Sequence, residues 1–362
     1  MRLTTAEKGD STMETMTKME RVKAVLEGKP VDRPPFIAWG PHLNLEDKHI
    51  GDFTKAVIAY ENQHDFDILK VMQNGLYNTE DYGQVIDETT DSEDACFKKT
   101  RIAAFTKIED LQNVKTTDVT QGAIARETEM IRILCDYYKD TVPVLPTIFG
   151  PYRMLCQLTS YGNKAQQPAF LDGGMMKFAR ENEELYFHVM DVLTQQVVNI
   201  MDAFLKVGAA GFFYCPGGTY FDNIAEEDYL KYIRPWDEVA LKAIEGRAWF
   251  TMLHICSAKV CFMDHMLDLP AQALNWEDAS PDNPSLEEIR AKCDKVLMGG
   301  VDRHSDFYGG NRDKVKAALK EKTVEAMRQA GPKFIAAVGC ESPREITHRF
   351  VVWREVMAEL AE

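Results

Sequence analysis

The chain has 362 residues, with 45% hydrophobic and 27% charged side chains, which is enough for a large core and typical of a globular protein. Its formal net charge of −15 argues against nucleic acid or an anionic membrane as partner, because both would repel it. The sequence has no long apolar run, no secretory signal and no disulfide-framework spacing among its 8 cysteines, so we expect a cytoplasmic protein with reduced thiols.

The N-terminal third begins with a polar stretch, and we expect residues 1–16 to form a flexible tail and residues 17–362 a single domain. Apolar residues at helical spacing predict a helix that ends at Gly28. Two short strands are predicted at residues 36–39 and 66–72, with a helix between them. Residues 76–121 are polar and alternate weakly, so we expect an excursion with a small hairpin after the second strand.

The remainder of the chain alternates between predicted strands and helices. Six further strands are predicted at residues 142–149, 209–214, 250–255, 271–276, 295–298 and 333–338. The helices between and after them are predicted at residues 123–139, 175–207, 226–246 and 312–330, from a capping box at Ser285 and Glu288, and after Pro343. Eight strands separated by helices predict a closed (β/α)₈ TIM barrel, with a doubly wound open sheet as the alternative.

A histidine and two cysteines lie at the predicted carboxyl ends of the fifth and eighth strands. His254 and Cys256 are two residues apart, so an extended backbone directs both side chains to one face. Cys340 follows the eighth strand, and the carboxyl ends of all barrel strands meet at one mouth. We therefore predict a Cys₂His zinc site with one coordination position open for substrate, a pattern typical of catalytic zinc. Taken singly, each residue is more often part of a core, so the prediction depends on their convergence.

Five short motifs stand at the N-terminus and on two predicted strands: Arg21, Leu26-Glu27-Gly28, Asp32-Arg33-Pro34, Leu274-Asn275-Trp276 and Leu297-Met298-Gly299-Gly300. Together they resemble the uroporphyrinogen decarboxylase superfamily, and the resemblance covers nearly the whole chain from about residue 17. It implies a (β/α)₈ barrel, in agreement with the strand and helix pattern. Within that superfamily, the corrinoid-dependent methyltransferases hold zinc with a His-x-Cys pair and a distant cysteine. His254, Cys256 and Cys340 match that pattern.

The resemblance does not extend to one decarboxylase motif. The decarboxylases carry an Arg-Gln-Ala-Gly-Arg stretch after the first strand, where it holds the carboxylates of the substrate. This chain has Ala38-Trp39-Gly40-Pro41-His42 at that position, without an arginine. The resemblance therefore implies a relative of the decarboxylases that does not perform their reaction.

The predicted reaction is methyl transfer from a methylated corrinoid (methylcobalamin) to a small thiol, which two zinc-bound thiolates would suit. The corrinoid is expected on a separate carrier protein, because the chain lacks the Asp-x-His-x-x-Gly motif of a cobalamin-binding domain. Three alternatives stay open. One is O-demethylation, in which an aryl methyl ether gives its methyl group to a corrinoid protein. The others are a metal-free decarboxylase-like enzyme and a barrel without catalytic activity.

Several other side chains at predicted strand ends are candidates for substrate binding. Cys215, after the fourth strand, is a spare ligand candidate. Asp302, after the seventh strand, could orient a ligand or a substrate amine. The full set of predicted substrate-binding residues is Trp39, His42, Asn74, Tyr77, Asn275, Trp276 and Asp302.

Overall fold

The fold is a parallel eight-stranded barrel. The computed structural model describes residues 15–40, 49–86, 100–160, 174–219, 224–256, 259 and 262–361. The barrel strands are β1 (Phe36–Ile37), β2 (Leu69–Val71), β5 (Val144–Phe149), β6 (Phe213–Cys215), β7 (Met252–Ile255), β8 (Ala273–Trp276), β9 (Val296–Val301) and β10 (Phe334–Val338). A separate antiparallel pair is formed by β3 (Val85–Ile86) and β4 (Thr100–Ile102), which confirms the hairpin predicted after the second strand.

The strand order is β1-β10-β9-β8-β7-β6-β5-β2, so the first barrel strand lies beside the last. Phe36 pairs with Ala336 and Ile37 with Ala337, both in parallel register. A doubly wound sheet changes direction in its middle and does not pair its first strand with its last. The predicted TIM barrel is thus confirmed, and the open-sheet alternative is excluded.

The helices surround this sheet and connect its strands. They are α1 (Lys18–Leu26), α2 (Ile50–His64), α3 (Ile108–Leu111), α4 (Gly122–Tyr138), α5 (Pro151–Thr159), α6 (Gly174–Glu181), α7 (Glu183–Lys206), α8 (Glu226–Asp228), α9 (Arg234–Lys242), α10 (Leu286–Arg290), α11 (Arg312–Ala330) and α12 (Phe350–Leu360). The capping box predicted at Ser285 begins α10, with the Ser285 hydroxyl accepting from the Glu288 amide. None of the described helices combines the length and the apolar character needed to cross a membrane.

Three predicted helices differ from the observed ones. The helix predicted at residues 175–207 is interrupted at Asn182, whose φ of −132° and ψ of 49° are not helical. The helix predicted at residues 226–246 contains a π-helical turn, Tyr229–Ile233, just before Pro235, which has no amide hydrogen to continue the α-helical pattern. Pro343 begins a 3₁₀ turn, Arg344–Arg349, so the α-helix starts only at Phe350.

A buried charge network joins the two strands at the seam of the barrel. Asp67, just before β2, is fully buried and accepts hydrogen bonds from Arg21 Nη1 at 2.6 Å and Arg33 Nη1 at 2.6 Å. Its carboxylate also accepts from the Phe36 amide at 3.0 Å, and its own amide donates to the Phe36 carbonyl at 3.1 Å. Because β1 and β2 end the strand order, this network links the barrel where direct strand pairing stops.

Residues 1–14 of the predicted N-terminal tail lie outside the described residues, so the tail stays a prediction.

Candidate metal centre

Two barrel strands bring the three predicted ligands together at the mouth. His254 is the third residue of β7, Cys256 follows that strand directly, and Cys340 lies two residues beyond β10. The two sulfur atoms are 3.0 Å apart, and the Cys340 sulfur lies 3.5 Å from His254 Nε2. Donor atoms of all three lie within 4.8 Å of one another. The barrel therefore brings together residues that are far apart in the sequence.

The loop after β10 packs closely against the end of β8, and this contact sets the position of Cys340. A Cβ atom on Gly339 would lie only 2.5 Å from Glu277 Cα and 2.9 Å from the Trp276 carbonyl oxygen. Any side chain at this position would push the loop, and the adjacent thiol, away from β7. The glycine before Cys340 is thus part of what forms the centre.

The donor set and its spacing suit a zinc ion. Ligand atoms bound at about 2.0 to 2.3 Å to one tetrahedral ion lie roughly 3.5 Å from each other. The sulfur–sulfur distance of 3.0 Å and the distance of 3.5 Å between the Cys340 sulfur and His254 Nε2 are near this value, and an imidazole with two thiols is a donor set found in catalytic zinc sites. His254, Cys256 and Cys340 could therefore hold zinc with one position left for a substrate atom.

Asn275 fixes the orientation of the histidine. Its amide nitrogen donates to the carbonyls of Met298 and Val338, each at 3.0 Å, so its oxygen faces His254. That oxygen lies 2.6 Å from His254 Nδ1 and accepts its proton. The lone pair of the imidazole is consequently on Nε2, the nitrogen that faces Cys340. A histidine ligand held in this way cannot turn its other nitrogen to the metal.

The electrostatics of the centre favour a protonated Cys340 thiol in the absence of a metal. The hydrogen bond with Cys256 and burial raise the pKa of the Cys340 thiol well above its usual range, and the charge of Arg303 partly offsets both. The Arg303 guanidinium donates to Glu277 Oε1 at 2.7 Å and also to the Glu341 carbonyl, next to Cys340. Arg303 thus holds the Cys340 loop and supplies positive charge beside both sulfurs.

A cavity of about 80 Å³ lies beside the three donors. Trp39 and Phe213 stand against His254, with ring centres 5.8 Å and 4.5 Å from the imidazole. The wall of the cavity is formed by Trp39, Lys70, Met72, Gln73, Gly75, Thr147, Phe149, Phe213, Cys215, His254, Cys256, Cys340 and Glu341. A small molecule bound here would therefore contact the metal centre at one end and aromatic rings along its length.

Lys70 is a wall residue that the sequence analysis missed. It lies in the middle of β2, within the predicted strand at residues 66–72. Its ammonium lies 4.5 Å from the ring centre of Phe213 and 6.0 Å from that of Trp39. A lysine between the apolar residues Leu69 and Val71 of a predicted buried strand is the sequence signal that could have identified it.

The predicted substrate-binding residues lie in different places. Trp39 lines the cavity, whereas Asn275 contacts the histidine behind the centre. Asp302 is exposed and lines a second cavity of about 230 Å³ with Glu277, Asp278 and Arg303. His42 lies outside the described residues.

Three further predicted residues do not reach the cavity. Tyr77 is buried and donates its hydroxyl proton to the Thr147 carbonyl at 2.7 Å. Trp276 is fully buried and donates to the Pro284 carbonyl at 2.8 Å. The side-chain oxygen of Asn74 accepts a hydrogen bond from the Leu76 amide at 3.0 Å and so stabilises the turn that contains both residues. Trp276 ends β8, whereas Asn74 and Tyr77 lie beyond the end of β2, and all three face the protein interior.

Cys215, the spare ligand candidate, lines the cavity without joining the centre. Burial raises the pKa of its thiol to about 12, so it is protonated at neutral pH. Among the described residues, the group of donors close enough to share an ion consists of His254, Cys256 and Cys340. Cys215 is therefore a wall residue and not a fourth ligand in this arrangement.

Comparison with known proteins identifies the family. Residues 52–349 match the family model described as uroporphyrinogen decarboxylase (URO-D). This chain belongs to that family. It is 26% identical over 200 residues to the uroporphyrinogen decarboxylase of Aquifex aeolicus, a match that covers 53% of this chain and 52% of that protein.

A second relative is the methylcobamide:CoM methyltransferase MtbA of Methanosarcina acetivorans, which is 19% identical over 217 residues, 59% of each protein. The chain thus spans little more than half the length of the curated relatives that it matches. Among solved structures, a methyltransferase from Methanosarcina mazei has a TM-score of 0.75 at 18% identity, covering 95% of this chain and 99% of that one. At this identity the structural likeness shows the shared barrel fold.

Proposed function

We propose that this protein is a zinc-dependent methyltransferase that moves a methyl group from a corrinoid, carried by a separate protein, to a small thiol. The observation that carries the proposal is the convergence of His254, Cys256 and Cys340 beside an open cavity, with the histidine fixed by Asn275. The likeness to MtbA supports the same class of reaction. The corrinoid and its carrier protein are part of the proposal.

The residues of the chain have separate tasks in this reaction. His254, Cys256 and Cys340 would hold the metal, and Asn275 keeps Nε2 of the histidine available for it. A bound zinc ion would supply the Lewis acidity that keeps a substrate thiol deprotonated at neutral pH, where a free thiol is mostly protonated. Arg303 stabilises the two ligand thiolates through its charge. Trp39 and Phe213 orient the substrate and exclude water from one side of the cavity.

The cavity offers little support for haem-pathway decarboxylation. Binding a substrate with several carboxylates would require several cations, as in the arginine-rich stretch of the decarboxylases. The residues that the structure describes around this cavity include one lysine, Lys70, and no arginine. The thiol-rich centre and the single cation favour a smaller substrate.

A second candidate function is O-demethylation, in which an aryl methyl ether gives its methyl group to a reduced corrinoid. The aromatic walls at Trp39, Phe149 and Phe213 favour this candidate, since rings pack well against an aromatic ether. The ligands are the same in both directions, so substrate assays must decide between them.

The proposal is tested first by metal content. Elemental analysis of the purified full chain is expected to give about one zinc per chain, and the Cys340→Ser variant should lose most of it. Cys293→Ser is the matched control, because Cys293 is a free and partly buried cysteine that is not among the three donors. Retention of zinc by Cys340→Ser, or a zinc-free active wild type, would contradict the proposal.

The second test is turnover with methylcobalamin, followed by the change in cobalt absorbance. Thiols are expected to remove the methyl group in the presence of wild-type protein and Cys293→Ser, but not Cys340→Ser. Aryl methyl ethers with reduced cobalamin test the opposite direction under the same conditions. Activity with ethers alone would favour O-demethylation, and activity with neither class would overturn both candidates.

A further inference from the structure

The two sulfur atoms of the candidate metal centre are close enough to react with each other. Cys256 Sγ and Cys340 Sγ lie 3.0 Å apart, although 84 positions separate the two residues in the sequence. The sulfur–sulfur bond of a disulfide is about 2.05 Å long, so the pair needs to approach by only about 1 Å to form one. Both residues carry thiols in this structure. The centre is therefore also a dithiol that can be oxidised.

The backbone holds the two sulfur atoms within reach of each other. Cys256 directly follows β7, which is paired with β8 along its length. Cys340 is held through its loop, because Gly339 packs against the end of β8 and Arg303 donates to the carbonyl of the residue after Cys340. The backbone of neither cysteine can move away without breaking these contacts. A reactive sulfur formed on one cysteine therefore stays close to the other.

The two thiols differ in their access to solvent. Cys256 is partly exposed, whereas Cys340 is only 8% exposed, and both line the small cavity beside the centre. An oxidant that enters this cavity meets Cys256 as the more accessible sulfur. An accessible thiol with a second thiol beside it is the arrangement typical of redox-sensing cysteines.

We propose that Cys256 and Cys340 form a reversible disulfide when a hydroperoxide reaches the metal-free centre, and that this bond switches the centre off by removing two of its three metal ligands. The hydroperoxide transfers an oxygen atom to the Cys256 sulfur, which becomes a sulfenic acid, and leaves as an alcohol, or as water if it is hydrogen peroxide. The Cys340 sulfur then attacks the Cys256 sulfur, the disulfide forms, and the oxygen leaves as water with the proton of the second thiol. The two thiols together lose two electrons and two protons, which the hydroperoxide accepts.

Metal binding and the disulfide exclude each other. Zinc binds thiolates, and the sulfur atoms of a disulfide carry no such charge. His254 would be the one remaining ligand of the three, and a single imidazole does not make a zinc site. Conversely, bound zinc should protect the pair, because it occupies a lone pair on each sulfur. A dithiol reductant restores the ligands by thiol–disulfide exchange, and in a reducing compartment such a bond is transient, as a redox sensor requires.

The test counts thiols and measures mass in the full chain. The wild type is treated with a chelator, exposed to a small excess of hydrogen peroxide and unfolded for titration with dithionitrobenzoate. We expect two thiols fewer than the 8 of the reduced chain and a mass lower by about 2 Da, from the two hydrogen atoms lost. Peptide mapping without reductant should join the peptide of Cys256 to that of Cys340. Dithiothreitol should restore both thiols.

Variants and zinc then assign the loss to this pair. Cys256→Ser and Cys340→Ser should form no intramolecular disulfide under the same treatment. Cys293→Ser is the matched control, and Cys215→Ser removes another thiol of the cavity wall; both should lose two thiols as the wild type does. The zinc-loaded wild type should lose its thiols more slowly, and disulfide formation should release zinc to a chromogenic chelator.

Two results would overturn the inference without bearing on methyl transfer. They are an unchanged thiol count in the metal-free wild type, and a disulfide that maps to other cysteines or persists in Cys340→Ser. Equal rates of thiol loss with and without zinc, in a chain that binds zinc, would overturn the competition between metal and disulfide. If the chain binds no zinc, the proposed function fails, and the thiol count and the peptide map still decide whether the disulfide forms.

Discussion

The amide oxygen of Asn275 lies 2.6 Å from Nδ1 of His254, directly across the pairing of β7 with β8. The two residues are partners in the parallel register, so the barrel itself sets the distance between them. Because the Asn275 nitrogen is held by two backbone carbonyls, its oxygen cannot turn away from the histidine. The histidine of the candidate metal centre is thus held by a pair of strands and not by a loop.

We predict that Asn275→Ala weakens zinc binding by about 10- to 100-fold, as expected when the hydrogen-bond acceptor of a histidine ligand is lost. Competition with a chromogenic chelator measures this affinity. Gln272→Ala is the control, because its side-chain oxygen accepts from the Thr251 amide at the other end of the same pair of strands. Equal losses in both variants, or no loss in Asn275→Ala, would show that the contact does not support the metal.

Zinc binding should also stabilise the folded chain. A ligand that binds only the folded state, present at a hundredfold excess over its Kd, adds about 2.7 kcal/mol to the free energy of unfolding. Urea unfolding with excess zinc and with chelator is expected to differ by this amount in the wild type and in Cys293→Ser. In Cys256→Ser the two curves should nearly coincide, because one of two thiol ligands is gone. A full zinc effect in Cys256→Ser would remove that cysteine from the site.

The seam network predicts a large effect on stability away from the metal centre. Asp67→Asn leaves the buried guanidinium of Arg21 with one carboxylate partner, Asp32, and removes a partner of Arg33. Loss of one member of a buried ion pair costs about 3 to 5 kcal/mol. Glu27→Gln, which affects the exposed pair with Lys29, should cost less than about 1 kcal/mol. Urea unfolding curves measure both, and similar midpoints for the two variants would refute the prediction.

The alternation of strands and helices in the sequence was sufficient to predict the barrel. It was also sufficient to predict where one imidazole and two sulfur atoms would meet. Each of the eight predicted strands overlaps an observed one, although the strand predicted at residues 209–214 is observed only at Phe213–Cys215. A parallel barrel has one mouth for the carboxyl ends of its strands. Convergence of His254, Cys256 and Cys340 then follows from topology without knowledge of any side-chain contact. Local helix boundaries were less predictable, since Asn182 and Pro235 interrupt runs whose apolar spacing is continuous.

The pocket lining was the part that sequence could not supply. Trp276 ends β8 as predicted, whereas Asn74 and Tyr77 lie in the loop and turn after β2. The polar groups of all three form hydrogen bonds away from the cavity. Which face of a strand end meets the mouth depends on twist and on loop conformation, neither of which has a clear sequence pattern. Lys70 was not predicted as a cavity residue, because a charged residue within a predicted core strand suggests that the strand assignment is wrong.

A buried carboxylic acid gives the last prediction, which concerns pH. Asp237 is 1% exposed, accepts from the Tyr214 hydroxyl at 2.7 Å and from the Gly217 amide at 2.9 Å, and so holds the loop after β6. Burial raises the pKa of its carboxyl from 3.8 to about 6, although the hydrogen bond from Tyr214 and that from Gly217 oppose the shift. The folded state therefore retains this proton at pH values where the unfolded state has lost it.

The free energy of unfolding should therefore decrease as the pH rises through the range between the two pKa values. Below about pH 4 the carboxyl is neutral in both states, and as pH rises to 6 the folded chain loses stability relative to the unfolded one, by up to about 3 kcal/mol. The Asp237→Asn side chain cannot ionise, so the variant should not show this loss. Its free energy of unfolding, relative to that of the wild type, should therefore rise by about this amount between pH 4 and pH 7. The altered hydrogen bonds add only a constant cost. Urea unfolding across this range measures the slope, with Asp140→Asn as an exposed control that should parallel the wild type. Parallel curves for Asp237→Asn and the wild type would mean that Asp237 is ionised throughout and that its charge is stabilised within the fold.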